Sequence, residues 1–404
     1  MKIKKILIIS HHFWPENFLI NEIALKLKKK FKVSIITGLP NYPKGEIYKK
    51  YKNNFSVKKE NFNGIEIIRI PIIPRKQGKF HQLILNYLSY MVSGFYFLRK
   101  INLNNSFDHI FVYSTSPITT ALLGIYLKKK YNKKMSIWIQ DLWPESVKNT
   151  GYIKNSFLMY LISIIVKYIY KNSDNIIAQS KAFKRSISKY TNKQVKIIEN
   201  SHFNIQKKKI NIPKKIKSLL KNKYCITFSG NIGKAQSIQT ILETSEKLQN
   251  NIDIHILMIG GGSEVQYAKN YISKKKLNNI SIFGPYPSGL ALDILKKSKA
   301  SLLTLKKDKV LSQTIPNKFQ TYLYAGKPIL IAANGEVAKL TKHNRVGLVS
   351  KAESPEDLKN NIIKLKKFNK VKLKQINKKC INFYKNSYDI NLQVKKIINV
   401  MINE

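Results

Sequence analysis

The chain has 404 residues, 43% of them hydrophobic and 24% charged, a globular balance that excludes intrinsic disorder and a polytopic membrane protein. That length is the natural size of two domains of roughly 200 residues, each with its own core. Lys and Arg number 73 against 22 Asp and Glu, a net charge of +51, which draws nucleic acid, anionic lipid or phosphorylated substrates to the surface.

The lysines are spread along the whole chain with an excess of Ile and Asn, so coding bias toward AT-rich codons accounts for the charge as well as a selected anionic partner does. Cys225 and Cys380 are too few for a disulfide framework or a thiolate metal site and suit a reducing cytosol. The opening Met1-Lys2-Ile3-Lys4-Lys5-Ile6-Leu7-Ile8-Ile9-Ser10 superficially resembles a signal peptide. Its apolar run is short and meets His11-His12 and a Trp-Pro turn, so it reads as a first buried strand.

In chain order, short apolar runs predict strands over Lys5–Ser10, Lys32–Thr37, Ile65–Ile70, His109–Tyr113, Met135–Gln140, Asn175–Gln179 and Gln194–Ile198. A second series follows over Cys225–Ser229, Ile254–Ile259, Ile280–Phe283, Ala300–Thr304, Pro328–Ala332 and Gly347–Val349. Helical patterns between them give βαβ units and parallel sheets, so the fold class is α/β, built twice. The Lys- and Asn-rich stretch from Asn204 predicts the domain boundary near residue 205. Leu83–Leu98 and Phe157–Tyr170 are apolar but shorter than a spanning helix. Each is either a core helix on the sheet or an amphipathic helix lying among lipid headgroups.

Residues with chemistry cluster where these strands end. His11-His12-Phe13-Trp14-Pro15-Glu16-Asn17 leaves the first strand, and its histidines are either polar contacts of a crevice or satisfied structural groups. Trp138-Ile139-Gln140-Asp141-Leu142-Trp143-Pro144-Glu145-Ser146 puts two indoles and two carboxylates just past a strand. That suits a sugar site, which wants aromatic platforms and groups that grip hydroxyls; a helix cap with core tryptophans is the plainer reading. Gly230-Asn231-Ile232-Gly233-Lys234-Ala235-Gln236 lies between a strand and a helix, the geometry of an anion site, although its spacing is neither a P-loop nor a full dinucleotide fingerprint. Gly260-Gly261-Gly262 and Gly284-Pro285-Tyr286 end the next two strands and converge on the same mouth, where a nucleotide would fit. Pro316-Asn317-Lys318 starts a helix that Gly326 closes. Lys318 in its first turn opposes the helix dipole unless an anion faces it. No His/Cys/Asp cluster has metal-ligand spacing and no Gly-x-Ser-x-Gly elbow occurs.

Taken together, Phe13-Trp14-Pro15-Glu16-Asn17, Gly38-Leu39-Pro40-Asn41-Tyr42-Pro43, Asp141-Leu142-Trp143-Pro144-Glu145, the Ser229–Gln236 loop, Pro316-Asn317-Lys318 and Ala325-Gly326-Lys327-Pro328 resemble the retaining GT-B glycosyltransferases of group 1 (family 4). Within these the chain is similar to the L-fucosamine (N-acetyl-fucosaminyl) transferase subgroup of O-antigen, lipopolysaccharide and capsule assembly. The resemblance spans nearly the whole chain. It implies two Rossmann-like domains with parallel sheets facing across a cleft: an acceptor side over residues 1–204, a donor side over 205–383, and a crossing segment from Tyr384 to Glu404. It further implies a metal-independent transferase of hexosyl type with no cofactor, taking a UDP-sugar and a lipid-diphosphate-linked glycan. The charge and the apolar segments lead to the expectation of a peripheral protein on the anionic inner face of the cytoplasmic membrane, and with no localised basic patch interleaved with aromatics no nucleic-acid partner is expected.

Carried over by position, donor contacts are expected at Gly230, Asn231, Gly233, Lys234, Gln236, Gly261, Pro285, Tyr286, Asn317, Lys318 and Thr321, with Lys234 and Lys318 on the diphosphate. Acceptor contacts are expected at Glu16, Asn17 and Trp143, and catalytic roles at Asp141 and Glu145. Two departures stand out: Gln313 and Thr321 occupy positions where many relatives carry glutamates, and Gln236 one where lysine is common. A donor with fewer hydroxyls, such as a 6-deoxy amino sugar, is compatible with that. The competing readings are a UDP-sugar epimerase on the same architecture and a non-enzymatic basic nucleic-acid-binding protein.

Overall fold

The computed structural model of the protein describes residues 3–52, 56–104, 106–149, 155–201 and 210–402. The chain divides into two compact units: Met1–Phe203 with Ile390–Glu404, and Asn204–Asp389. The boundary expected near residue 205 falls among 202–209, outside the described residues.

The first unit contains strands β1 (Lys5–Ile9), β2 (Lys32–Gly38), β3 (Lys58–Phe62), β4 (Ile65–Ile70), β5 (His109–Ser114), β6 (Lys134–Ile139), β7 (Asn175–Ala178) and β8 (Val195–Ile197). They form one sheet in the order β3-β4-β2-β1-β5-β6-β7-β8. All pairs are parallel except β3 with β4. Strand β3, absent from the strands expected from sequence, reads Lys-Lys-Glu-Asn-Phe and has no apolar run. Its visible signal is the Asn63-Gly64 pair, both at positive φ, which closes the hairpin into β4.

Helices α1 (Leu19–Leu27), α2 (Phe80–Lys100), α3 (Thr120–Tyr131), α4 (Glu145–Asn149), α5 (Ser156–Asn172) and α6 (Lys181–Ile187) accompany this sheet. Alternation along β1 sends Leu7 and Ile9 into the core shared with α2, α3 and α5, and Ile6 and Ile8 into the core shared with α1. The apolar stretch expected over Phe157–Tyr170 is only partly a core helix. On α5, Val166, Ile169 and Tyr170 are buried, while Phe157, Leu158, Tyr160 and Ile164 lie in the open. Helix α2 behaves alike, burying Tyr90, Met91 and Leu98 and exposing Leu85, Leu88, Val92 and Tyr96.

The second unit contains β9 (Tyr224–Ser229), β10 (Ile254–Ile259), β11 (Ile280–Phe283), β12 (Ala300–Thr304), β13 (Ile329–Ala332) and β14 (Gly347–Ser350), all parallel, in the order β11-β10-β9-β12-β13-β14. Helices α7 (Lys214–Asn222), α8 (Ile238–Lys247), α9 (Val265–Lys274), α10 (Ser288–Lys297), α11 (Asn317–Ala325), α12 (Glu336–Asn344), α13 (Pro355–Lys366) and α14 (Lys370–Ser387) accompany it. In both sheets the strand order reverses beside the first strand of the unit, between β1 and β5 and between β9 and β12. A crevice opens at the carboxyl ends of such a pair.

The segment expected to return to the first unit from Tyr384 does so from Ile390. Tyr384 is buried on α14, its ring 5.0 Å from that of Tyr324, and it belongs to the core of the second unit. The returning helix α15 (Ile390–Ile402) buries Val394, Ile397 and Met401 in the core that holds Ile6 and Ile8.

One buried ion pair ties the loops of the first unit together. Arg69 on β4 is fully buried; its guanidinium pairs with Glu60 of β3 and donates to the Trp14 carbonyl and, at 3.4 Å, to that of Gly38. The Tyr51 hydroxyl donates to the same Glu60 carboxylate, and Arg69 sits 4.9 Å from the Tyr51 ring centroid. Removing Glu60 strands a buried cation, which costs about 3–5 kcal/mol. All three tryptophans, Trp14, Trp138 and Trp143, lie in this unit, so their fluorescence reports its unfolding alone. Glu60→Ala is expected to lower the urea midpoint followed by tryptophan fluorescence by the equivalent of that energy, and an unchanged midpoint would refute the role given to the pair.

Candidate functional site

The anion-binding geometry of the second unit starts from close backbone contact. Gly230, at φ 129°, follows β9 and donates its N–H to the Ile259 carbonyl at 2.9 Å. Gly260 lies against it: a Cβ there would meet the Gly230 oxygen at 1.9 Å, a distance no side chain tolerates. The Ile232 N–H donates to Gly261 at 2.8 Å and the Glu264 N–H to Ile232 at 3.0 Å, joining the two loops. The Tyr322 hydroxyl of α11 clamps the end of β9, accepting from the Ser229 N–H at 2.8 Å and donating to the Ser229 carbonyl at 3.1 Å.

Lys318 reaches under this loop from the first turn of α11. Its Cε and Nζ would lie 3.5 and 3.7 Å from a Cβ built on Gly230, and Nζ sits 3.9 Å from the Phe228 ring centroid. That nitrogen is buried and has no hydrogen-bond partner among the described residues. Burial pulls its pKa down from 10.5 to about 7. A desolvated amine beside three glycine-bearing strand ends is a site waiting for negative charge, because an anion restores the ammonium and supplies its missing acceptor.

The remaining expected donor residues lie around this point with different degrees of freedom. Asn231 and Lys234 are exposed, Asn317 is the exposed first residue of α11, and Gly233 is buried against the Asn231 and Gln236 side chains. The Gln236 Oε1 is buried with no partner among the described residues, while the backbone carbonyl of Gln236 accepts from the Thr304 hydroxyl. Gly261 has ordinary room for a Cβ, 3.5 Å from Pro285, so the close approach belongs to its neighbours Gly260 and Gly262. Pro285 follows a cis bond and Tyr286 is half-buried beside the core of α7 and α10. The Thr321 hydroxyl donates to the Asn317 carbonyl within its own helix at 3.2 Å.

In the first unit the carboxyl ends of β1, β5 and β6 carry the candidate acceptor side. Glu16 was expected to meet an acceptor, and the structure corrects this. One carboxylate oxygen accepts from the Asn41 N–H at 2.8 Å and the Tyr42 N–H at 2.6 Å, the other meets His12 Nδ1 at 2.9 Å, and the residue is buried. Glu16 therefore fastens the loop after β2, while its neighbour Asn17 is exposed. His11 is likewise internal: Nε2 meets Asn86 Oδ1 at 3.0 Å, and burial, then the neighbouring His12, holds its pKa well below 6.5, keeping the ring neutral.

Asp141, half-buried after β6, accepts from the Ser116 hydroxyl, and Ser116 in turn accepts from the Trp143 indole N–H at 3.0 Å. Ser116, two residues past the end of β5, was not singled out by sequence; its position just past a switch-point strand is the signal that could have found it. Glu145 at the start of α4 receives the Tyr190 hydroxyl at 3.4 Å through one oxygen, and its other oxygen is buried without a partner among the described residues. The structure thus groups Asp141, Ser116 and Trp143, and sets Glu145 apart beside Tyr190. Arg75, just after β4, was also not singled out; it lies over the Tyr42 ring at 5.2 Å, and its charge acts on Tyr87 together with that of Asp141.

Comparison with known proteins now adds to the geometry. Residues 210–386 match the family of glycosyl transferases group 1. Over 394 residues, 95% of this chain and 94% of the relative, the chain is 26% identical to an uncharacterized glycosyltransferase of Methanocaldococcus jannaschii. It is 20% identical over 275 residues, 66% of this chain and 68% of the other, to a Pseudomonas aeruginosa protein named "Probable glycosyltransferase WbjE". Among solved structures it superposes with a TM-score of 0.70 and 13% identity on Anabaena Alr3699/HepE in complex with UDP and glucose, covering 99% and 100% of the two chains. A structure from E. coli described as trehalose-6-phosphate bound with UDP-2-fluoro glucose gives 0.72 at 10% identity, covering 98% and 99%. These likenesses establish the GT-B fold, with its two Rossmann-like domains.

The buried amine makes a proton-linkage prediction. With a free pKa of about 7, Lys318 is already charged below that pH and must take up a proton to meet an anion above it. The contribution of Lys318 to binding of inorganic diphosphate, read as the difference from Lys318→Met, is therefore expected to be constant below about pH 7 and to weaken by up to about tenfold per pH unit above it. Calorimetry at pH 8 in two buffers of different ionisation heat should show proton uptake that Lys318→Met abolishes; equal heats in the two buffers would refute this.

Proposed function

We propose that this chain, a glycosyltransferase with the GT-B fold, moves a sugar from a UDP-linked donor to a lipid-diphosphate-linked glycan with retained configuration, in the assembly of a cell-surface polysaccharide such as O-antigen or capsule. The observation that carries the donor half is the unpartnered Lys318 amine beneath Gly230. The UDP-containing structures of the same fold support UDP as the leaving group.

In this reading the donor diphosphate lies against the Gly230 loop, with Lys318 beneath it and Lys234 at its exposed side. The bond between the anomeric carbon and the diphosphate oxygen breaks as the acceptor hydroxyl oxygen bonds to the same carbon from the same face, and the hydroxyl proton leaves on the departing diphosphate. Lys318, Lys234 and the backbone N–H groups of the loop stabilise the charge that develops there, the work a metal does in other transferases. No protein nucleophile takes part. Asp141, held by Ser116, orients the acceptor and steadies the positive charge that builds on the sugar ring. An N-acetylated 6-deoxy amino sugar is the proposed donor glycan, since Gln313 and Thr321 offer no carboxylate for a hydroxyl-rich ring.

The enzyme works as a peripheral protein on the inner face of the cytoplasmic membrane. Among the described residues no helix is long and apolar enough to cross a membrane. The exposed apolar side chains of α2 and α5 instead share their surface with Lys100 and Lys129, which contact the hydroxyls of Tyr96 and Tyr168. Such a face combines apolar insertion with attraction to anionic lipid.

Two measurements test the reading. UDP, unlike GDP, ADP or NAD, should raise the melting temperature, by the equivalent of about 2.7 kcal/mol at a hundredfold excess over Kd. Lys318→Ala should weaken UDP at least about tenfold, the worth of a lost bond to a charged group; no response to UDP would sink the donor assignment. Separately, sedimentation with vesicles of anionic phospholipid should fall at least fivefold in the double variant Phe157→Asp, Tyr160→Asp, while vesicle binding equal to that of the unaltered protein would remove α5 from the membrane face.

A further inference from the structure

The sheet of the second unit parts at its switch point. Strands β9 and β12 pair at Ile226 with Ala300 and at Thr227 with Ser301, and no further among the described residues. Continued, that register would set Ser229 opposite Leu303, but Leu302, Leu303 and Thr304 go on pairing with β13. The end of β12 turns to the glycine loop instead: the Thr304 hydroxyl donates to the Gln236 carbonyl, and the Lys306 N–H to that of Ala235 at 3.0 Å. Gly230 bonds to β10 through the Ile259 carbonyl. Successive residues of a strand turn their N–H and C=O to opposite neighbours, so those of Ser229 face the side from which β12 has parted.

We infer that Tyr322 is a positioning residue of the anion site, its hydroxyl standing in for the missing rung between β9 and β12 so that the Gly230 loop is held over Lys318. The inference rests on the donor-site reading above and adds the residue that shapes that site. The hydroxyl does both jobs of a strand neighbour, accepting from the Ser229 N–H at 2.8 Å and donating to the Ser229 carbonyl at 3.1 Å. The Tyr322 ring is fully buried in the core that holds Phe319 and Leu323. A phenylalanine would fill the same volume, so the hydroxyl, costly to bury unbonded, serves its two bonds and not the packing. Lys318 and Tyr322 lie four residues apart on α11 and so share one face of that helix. The Lys318 Cε lies 3.5 Å from a Cβ built on Gly230, the residue next to Ser229. One helix thus grips the end of β9 and sets an unpartnered amine beneath the following residue, with the helical rise fixing the spacing between grip and amine. Without the hydroxyl, Ser229 has no tie to α11, and Gly230 is free to move away from the amine.

Inorganic diphosphate is the probe, titrated by calorimetry at one pH into the full chain and into Tyr322→Phe, Lys318→Met and the double variant. Tyr322→Phe is expected to weaken diphosphate by about tenfold when Lys318 is present. With Lys318→Met already in place the same change should cost less than about threefold, since a residue that acts through another loses its effect with it. A side chain that only stabilised the fold would lower the melting temperature and leave the affinity alone. Equal affinity of Tyr322→Phe and the unaltered chain, or an equal loss in both backgrounds, overturns the inference and leaves the donor site standing. Diphosphate binding that Lys318→Met does not weaken overturns the donor site itself, and the inference with it. Amide hydrogen exchange on the unaltered chain checks the rung without any variant: the Ser229 amide should be protected at least about tenfold more than that of exposed Asn231, and equal protection overturns the inference.

Discussion

The glycine loops of the second unit depend on a backbone contact that admits no side chain. Because the Gly260 Cα faces the Gly230 carbonyl, the loops after β9 and β10 approach within hydrogen-bond distance, and the Ile232-to-Gly261 and Glu264-to-Ile232 bonds can form. Only with those loops drawn together does the space under Gly230 become small enough to desolvate Lys318 against Phe228. The depressed basicity of that lysine follows from burial rather than from any neighbouring charge. A weakly basic amine in an otherwise strongly cationic chain is selective in a way that a surface lysine is not: above about pH 7 it gains full charge only when an anion enters.

The two units use the same sheet logic for different ends. In the second, the reversal between β9 and β12 gathers glycines and an amine, which suits a charged leaving group. In the first, the reversal between β1 and β5 gathers Ser116, Asp141 and Trp143 beside an apolar wall. Glu16 and His12, whose carboxylate and imidazole look reactive on paper, are spent on holding the loop after β2 in place.

Apolar runs were enough to find the parallel strands, because a strand buried on both faces has to be apolar throughout. The polar edge strand β3 escaped that rule, and only its Asn63-Gly64 turn betrays it. Position past a strand end brought out Asp141 and the glycine loops, and a cation in the first turn of a helix brought out Lys318. Their partners were not legible: the bond between Tyr322 and Ser229 spans 93 residues, and no local pattern records which hydroxyl will meet which backbone. The same holds for Ser116, and for Glu16, whose burial follows from folding of a loop 25 residues away. The sequence reading starts the returning segment at Tyr384, inside the last turn of α14, and the contact of Tyr384 with Tyr324 keeps that turn in the second unit, moving the return point to Ile390.

That return point has a consequence for synthesis. The first unit's sheet is covered on one face by α2, α3 and α5, which follow its strands directly, but the other face receives α15 only after the entire second unit has been translated. During elongation the nascent first unit leaves the side of Ile6 and Ile8 incompletely covered, while the second, contiguous unit can close as soon as α14 emerges. The helix made after the second unit is then the latch of the unit made before it, and a ribosome stalled anywhere in the second unit would hold a half-clad sheet that chaperones are built to recognise.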